Sequence, residues 1–149
     1  MKSLYYNVKK CTGCRSCEIA CAVAHSQSNE LFGALREEIL SLPRVKVSGC
    51  QGNNYPISCR HCPEPKCVDA CMASALSFDK KKGIVEHNEK RCVGCWMCVM
   101  VCPYSAIKPN FKTKMPVRCD KCKDKQEPAC VKACPTGAII WQEEMAVEK

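Results

Sequence analysis

Sixteen of the seventeen cysteines in this 149-residue chain fall into four groups of four, a pattern of thiols suited to holding metal. The first group is Cys11, Cys14, Cys17 and Cys21; the second is Cys59, Cys62, Cys67 and Cys71. The third is Cys92, Cys95, Cys98 and Cys102; the fourth is Cys119, Cys122, Cys130 and Cys134, and Cys50 stands apart. Every group opens C-x2-C and closes C-x3-C. Only the inner gap varies, being two residues in the first and third groups, four in the second and seven in the fourth. This is an internal repeat. Two thiolates three residues apart grip one face of a metal cluster, and a third, three further on, completes a wrap. Four such groups imply four [4Fe–4S] clusters with these sixteen cysteines as iron ligands.

Zinc is the rival metal, since it also takes four cysteines in paired C-x2–4-C units. The second and fourth groups alone admit that reading, and His61 inside the second group adds to it. The triple C-x2-C-x2-C followed by C-x3-C is not a zinc spacing. It matches the iron–sulfur run in which the fourth cysteine serves a neighbouring cluster. The third group carries that run in full, with Pro103 after its last cysteine; the first has Ala22 there.

Disulfides would need an oxidising compartment. Met1–Asn7 contains no apolar stretch or twin arginine that would send the chain to one, so a cytoplasmic, reduced protein is expected. The uncharged run 92–107 contains four cysteines and Pro103 and falls short of the roughly 18 residues of a membrane span. The formal charge is +8. Ligated thiols are deprotonated, so four oxidised clusters at about −2 each would bring the loaded protein near neutrality. The basic residues then read as compensation for cofactor charge rather than as a nucleic-acid surface. No Ser/His/Asp arrangement, phosphate loop or paired carboxylate is present, so neither catalysis nor a small-molecule substrate is expected. Cys50 reads as a free thiol, and His25, His61 and His87 as hydrogen-bonding or surface residues. Trp96 and Trp141 read as shielding or core, and Met97, Met100 and Met115 as gap fillers.

Aromatic residues make up only 6% of the chain, so metal must replace much of the apolar core. Short apolar runs follow three fourth cysteines: 73–78, 103–107 and 135–140. Each is long enough for a strand but not a helix. Leu76–Phe78 and Gly83–Glu86 flank a Lys-rich turn and predict a hairpin; Leu4–Val8 predicts a further edge strand. Between the first two groups, Leu31, Leu35 and Ile39 share a helical spacing that Pro43 ends, and Arg44–Val47 alternates as an edge strand. Ser48–Asn54 reads as a turn-rich loop. The expected class is α+β, built of small hairpins and short helices.

The order of cysteines, hairpin and proline over 55–109 resembles a bacterial two-cluster ferredoxin. Nearly the whole chain is similar to the four-cluster ferredoxin subunits of the dimethyl-sulfoxide-reductase type. The motifs that carry this are Cys59-Arg60-His61-Cys62 with Cys67–Cys71, and Cys119-Asp120-Lys121-Cys122 with Pro128–Ala138. The resemblance implies one-electron transfer and swapped ligation. Cys11, Cys14, Cys17 and Cys134 would hold one cluster, and Cys119, Cys122, Cys130 and Cys21 a second. Cys59, Cys62, Cys67 and Cys102 would hold a third, and Cys92, Cys95, Cys98 and Cys71 a fourth. An outer ferredoxin-like lobe (1–21 with 110–149) would then be split around an inner one (55–109), with 22–54 as an insertion. Within the family, Cys17–Ser26 and Cys92–Pro103 look most like the ferredoxin-like partner of anaerobic nickel carbon monoxide dehydrogenase. A formate dehydrogenase or hydrogenase complex is the alternative setting, and a hydrogenase or flavin oxidoreductase a possible downstream acceptor.

Overall fold

A computed structural model describes residues 2–50 and 52–143; the side chain of Cys50, and with it the free-thiol expectation, lies outside the described residues. The chain forms short helices and two-stranded antiparallel sheets, a small α+β architecture. Strand β1 (Lys2–Tyr6) pairs with β8 (Ile139–Glu143), placing Tyr6 opposite Ile139 and Leu4 opposite Trp141. The first and last elements of the described residues therefore meet, although more than 130 residues separate them in sequence. Aromatic and β-branched residues suit such a half-buried ribbon. Leu4 and Tyr6 pack from it onto the buried cluster that includes Ile139.

Helix α1 (Ser16–Ala24) carries Cys17 and Cys21 on its buried side. Helix α2 (Leu31–Arg36) follows and stops short of Ile39, the last residue of the expected helical spacing, with Glu37 already extended. Its Leu31, Phe32 and Leu35 are exposed, so no packed core supports a longer helix there. Strand β2 (Val45–Cys50) then pairs with β3 (Asn53–Ser58). The sequence read 48–54 as loop because its Gly and Asn residues signal turns. Instead the ladder runs to the Cys50–Asn53 pair, with Gly52 in the turn. Val45 and Val47 are buried, and the Glu18 carboxylate accepts a hydrogen bond from the Val47 N–H.

The one-turn helix α3 (Lys66–Asp69) leads to β4 (Leu76–Asp79), which pairs with β5 (Ile84–His87) as the hairpin pattern predicts. Asp79 closes the turn by accepting from Lys81 N and Lys82 N at 2.8 and 3.2 Å. Helix α4 (Met97–Met100), the ribbon β6 (Lys108–Asn110) with β7 (Met115–Val117), and helix α5 (Ala129–Lys132) complete the order. The apolar run 103–107 ends just before β6 rather than forming it, but Ala106 and Ile107 are buried as core.

Two core clusters result, both built partly from cysteine. Cys17, Cys21, Val45, Val47, Cys130 and Ile139 form one; Leu76, Val85, Cys98 and Ile107 form the other. α1 packs on α5, and α3 on α4. Hydrogen bonds join these regions: Lys108 Nζ donates to Pro43 O at 3.0 Å and Lys121 Nζ to Gly83 O at 3.3 Å. No helix among the described residues is long and apolar enough to cross a membrane.

Candidate iron–sulfur sites

In all four C-x2-C pairs the residue just before the second cysteine has positive φ: Gly13 (74°), His61 (50°), Gly94 (67°) and Lys121 (58°). That left-handed residue reverses the chain so that both sulfurs of a pair face the same way. A second left-handed residue lies three positions after the last cysteine of groups two, three and four, at Ser74, Ser105 and Gly137. It turns the chain out of the short helix. The first group lacks it, because α1 runs on to Ala24.

These turns bring distant cysteines together. Cys11, Cys14, Cys17 and Cys134 line one cavity. Cys59, Cys62, Cys67 and Cys102 line a second, with Arg60 stacked over the Tyr104 ring at its mouth, 4.1 Å from the centroid. Cys71, Cys92, Cys95 and Cys98 line a third beside Trp96, whose ring meets Phe111 at 5.6 Å between centroids. Cys130 lies within electrostatic reach of Cys119, Cys122 and Cys21. Each convergence takes three cysteines from one group and the last from another. The four sets also adjoin one another: Cys17 is near Cys130, Cys119 near Cys59, and Cys67 near Cys98. Cys14 and Cys95 are the exposed members of the sixteen.

The donor chemistry fits clusters. None of the sixteen thiols is in a disulfide. Burial, with repulsion from neighbouring thiolates, pushes Cys119 up to about 12 and Cys98 up to about 11. Bare thiols there stay protonated, and only a strongly bound metal repays their ionisation. Backbone N–H groups already point at sulfur: Arg44 N to Cys21 Sγ, Ala75 N to Cys71 Sγ and Ala138 N to Cys134 Sγ, each 3.2 Å. Such bonds stabilise thiolate ligands and raise cluster potentials.

His25 is a hydrogen-bonding residue. Its Nδ1 donates to Cys21 O at 2.7 Å, and its Nε2 to Asp120 Oδ1 at 3.2 Å. Burial opposes its charge, but bonds to Asp120, Cys122 and Cys21 prevail and raise its pKa to about 11. Burial likewise opposes ionisation of Asp120, yet His25 and the Arg44 ion pair hold it well below the usual carboxylate range. His25, Asp120 and Cys122 place ligand atoms within 4.8 Å of one another. Arg44 already occupies Asp120, so the cluster is an ion-pair network rather than a separate metal site. His61 is the opposite case. Burial, then Lys121 and Arg118, push it down to about 3, and its Nδ1 accepts from Val85 N at 3.0 Å.

His87 lines the Cys71 cavity with a buried Nε2 that has no partner among the described residues. Met100 stands in solvent and fills no gap. Sequence reasoning missed Arg44, Asp120, Arg118 and Lys121 as supports. The signal was present in the alternation Arg118-Cys119-Asp120-Lys121-Cys122, where charged residues sit between ligands.

A family model described as a 4Fe–4S dicluster domain matches residues 50–144, and one described as a 4Fe–4S binding domain matches 9–24. An iron–sulfur protein of Rhodospirillum rubrum is 38% identical, covering 91% of this chain and 79% of that protein. Electron transport protein HydN of Escherichia coli is 36% identical, covering 96% and 89%. The B subunit of the Haemophilus influenzae anaerobic dimethyl sulfoxide reductase is 34% identical, covering 91% and 70%. A solved subunit of the BamBC active site complex of benzoyl coenzyme A reductase aligns over 100% of this chain and 83% of its own length. Its TM-score of 0.52 at 22% identity speaks for the fold alone. The protein belongs to the 4Fe–4S dicluster family: it is an electron-transfer protein carrying four [4Fe–4S] clusters, and it is not itself a catalyst.

Proposed function

We propose that the protein is a one-electron relay between a catalytic redox partner and a downstream acceptor, with the sixteen cysteines ligating in the swapped sets. The observation that carries the reading is the convergence of three cysteines from one group with the last of another, including three shared cavities. The clusters supply one-electron storage at nearly constant geometry. The proximity of the cysteine sets supports one order for them. The set of Cys11, Cys14, Cys17 and Cys134 adjoins that of Cys119, Cys122, Cys130 and Cys21. This in turn adjoins the set of Cys59, Cys62, Cys67 and Cys102, and the set of Cys92, Cys95, Cys98 and Cys71 comes last. Exposure of Cys14 and Cys95 supports entry and exit at the two ends. On this reading, 1–21 with 110–149 makes the outer lobe, 55–109 the inner one, and 22–54 is an insertion whose β2 packs on α1 of the outer lobe.

The favoured partner is carbon monoxide dehydrogenase in a cytoplasmic, anaerobic setting, on the motif resemblance of Cys17–Ser26 and Cys92–Pro103. The similarity to HydN and to the B subunit of a dimethyl sulfoxide reductase favours an oxidoreductase complex in general, which keeps formate dehydrogenase and hydrogenase as the second reading. An anaerobic pull-down from the native organism, with mass spectrometry, tests this. Carbon monoxide dehydrogenase among the captured proteins is the expected result. A formate dehydrogenase or hydrogenase in its place would move the relay to the second reading.

A further inference from the structure

A buried charge is costly unless something opposes it. Arg118, the single residue between β7 and Cys119, is only 7% exposed. Its guanidinium donates to the Val85 carbonyl. The other terminal nitrogen, Nη1, is sealed from water with no hydrogen-bond partner among the described residues. The nearby carboxylate, Asp120, is engaged by Arg44 and His25. The buried Lys121 adds a second positive charge, and His61 offers a lone pair rather than a charge to Val85.

Apart from Asp120, the anionic groups within electrostatic reach of the guanidinium are sulfurs, while the residue also lines a cavity with Glu86 and Glu89. Cys59, Cys67 and Cys98 lie within electrostatic reach of the guanidinium. Val85, which it holds, lines the same cavity as Cys59, Cys62, Cys67 and Cys102. We propose that Arg118 is the internal counter-charge of the cluster held by those four cysteines and sets its reduction potential. This inference rests on the ligand sets proposed above. An oxidised cluster with its thiolates carries about −2, and reduction adds one more negative charge. A fixed cation inside a low-dielectric site favours the more negative state. Arg118 therefore holds this potential higher than a neutral residue would. Because the guanidinium also reaches Cys98, the adjoining cluster feels it in smaller measure.

The experiment compares anaerobically purified wild type with Arg118→Lys, Arg118→Gln and Arg118→Met, each assayed for iron and sulfide and titrated redox-wise by EPR. The expected result is full iron in every variant, one midpoint displaced to more negative potential in the two neutral variants, and a midpoint near wild type in Arg118→Lys. Iron lost from one cluster in both neutral variants but kept in Arg118→Lys would be the same charge dependence in stronger form. Wild-type midpoints in a fully loaded neutral variant would overturn the proposal, as would a displacement or iron loss in Arg118→Lys as large as in Arg118→Gln. A Cys62→Ser variant separates this from the ligand assignment. If it alters the signal that Arg118→Gln moves, both stand. If it alters a different signal, Arg118 does not serve that cluster; if it alters none, the ligand sets are wrong.

Discussion

At the scale of single residues, the cysteines carry the function, but their surroundings make them usable. Swapped ligation predicts that Cys21→Ala depletes the cluster of Cys119, Cys122 and Cys130 while sparing that of Cys11, Cys14 and Cys17. Iron content and EPR of the variant check this, and loss of the latter signal instead would reverse the assignment. Asp120 ties Arg44, from the segment before β2, to His25 after α1. Asp120→Ala leaves two half-buried cationic donors facing each other, at a cost of about 1–3 kcal/mol. Faster anaerobic thermal bleaching of the visible absorbance is the expected outcome. The cysteine spacing marks the sixteen thiols as candidate ligands in advance. The ion-pair network carries no such mark, because residues 44 and 120 adjoin only after folding.

At the scale of elements, the repeated unit is a reversing loop, a one-turn helix and a strand. Its two left-handed positions are not equivalent. A Cβ on Gly94 (φ 67°) would stand 2.7 Å from the Lys114 carbonyl oxygen, whereas one on Gly137 (φ 62°) meets nothing within 4 Å. Gly137→Ala therefore bears only the left-handed penalty, about 1–2 kcal/mol. Gly94→Ala adds a backbone collision and costs more. The rate of cluster loss in mild denaturant, ranked wild type, Gly137→Ala, Gly94→Ala, measures the difference. Helix α2 has the opposite character. Phe32 is 74% exposed, so Phe32→Ser should change stability by no more than about 0.5 kcal/mol, read from the same assay. Its apolar spacing predicts a longer helix, but Leu35 and Ile39 are exposed and add no packing that would extend it.

At the scale of the whole molecule, both hydrophobic clusters are part sulfur. Buried cysteines occupy places that leucine or phenylalanine would fill in a larger core. Without metal these thiols stay protonated, and the ligand bonds that tie distant segments of the chain together are lost. Removal of iron with a chelator under reducing conditions should therefore abolish the fold, seen as loss of far-UV circular dichroism and rapid proteolysis. An apo-protein that keeps its dichroism would mean that the hairpins stand without the clusters. The basic surplus of +8 belongs to the same balance, since part of it, at Arg118 and Lys121, lies inside.

Cysteine periodicity, the proline after the third group and the short apolar runs by themselves determined the metal, the cluster number, the α+β class and the hairpin of β4 with β5. These are local features, and spacing along a chain is enough to constrain a ligand loop of three or four residues. Tertiary structure decided which cysteines lie near one another, because that depends on α1 meeting α5 and on β1 pairing with β8. It also decided that 48–54 is mostly strand, since β3 offered a partner to residues whose turn propensity alone pointed elsewhere. The place of Arg118 belongs to the same class. Whether an arginine beside a cysteine faces solvent or a cluster depends on what the rest of the protein packs over it, and here β5 closes it in.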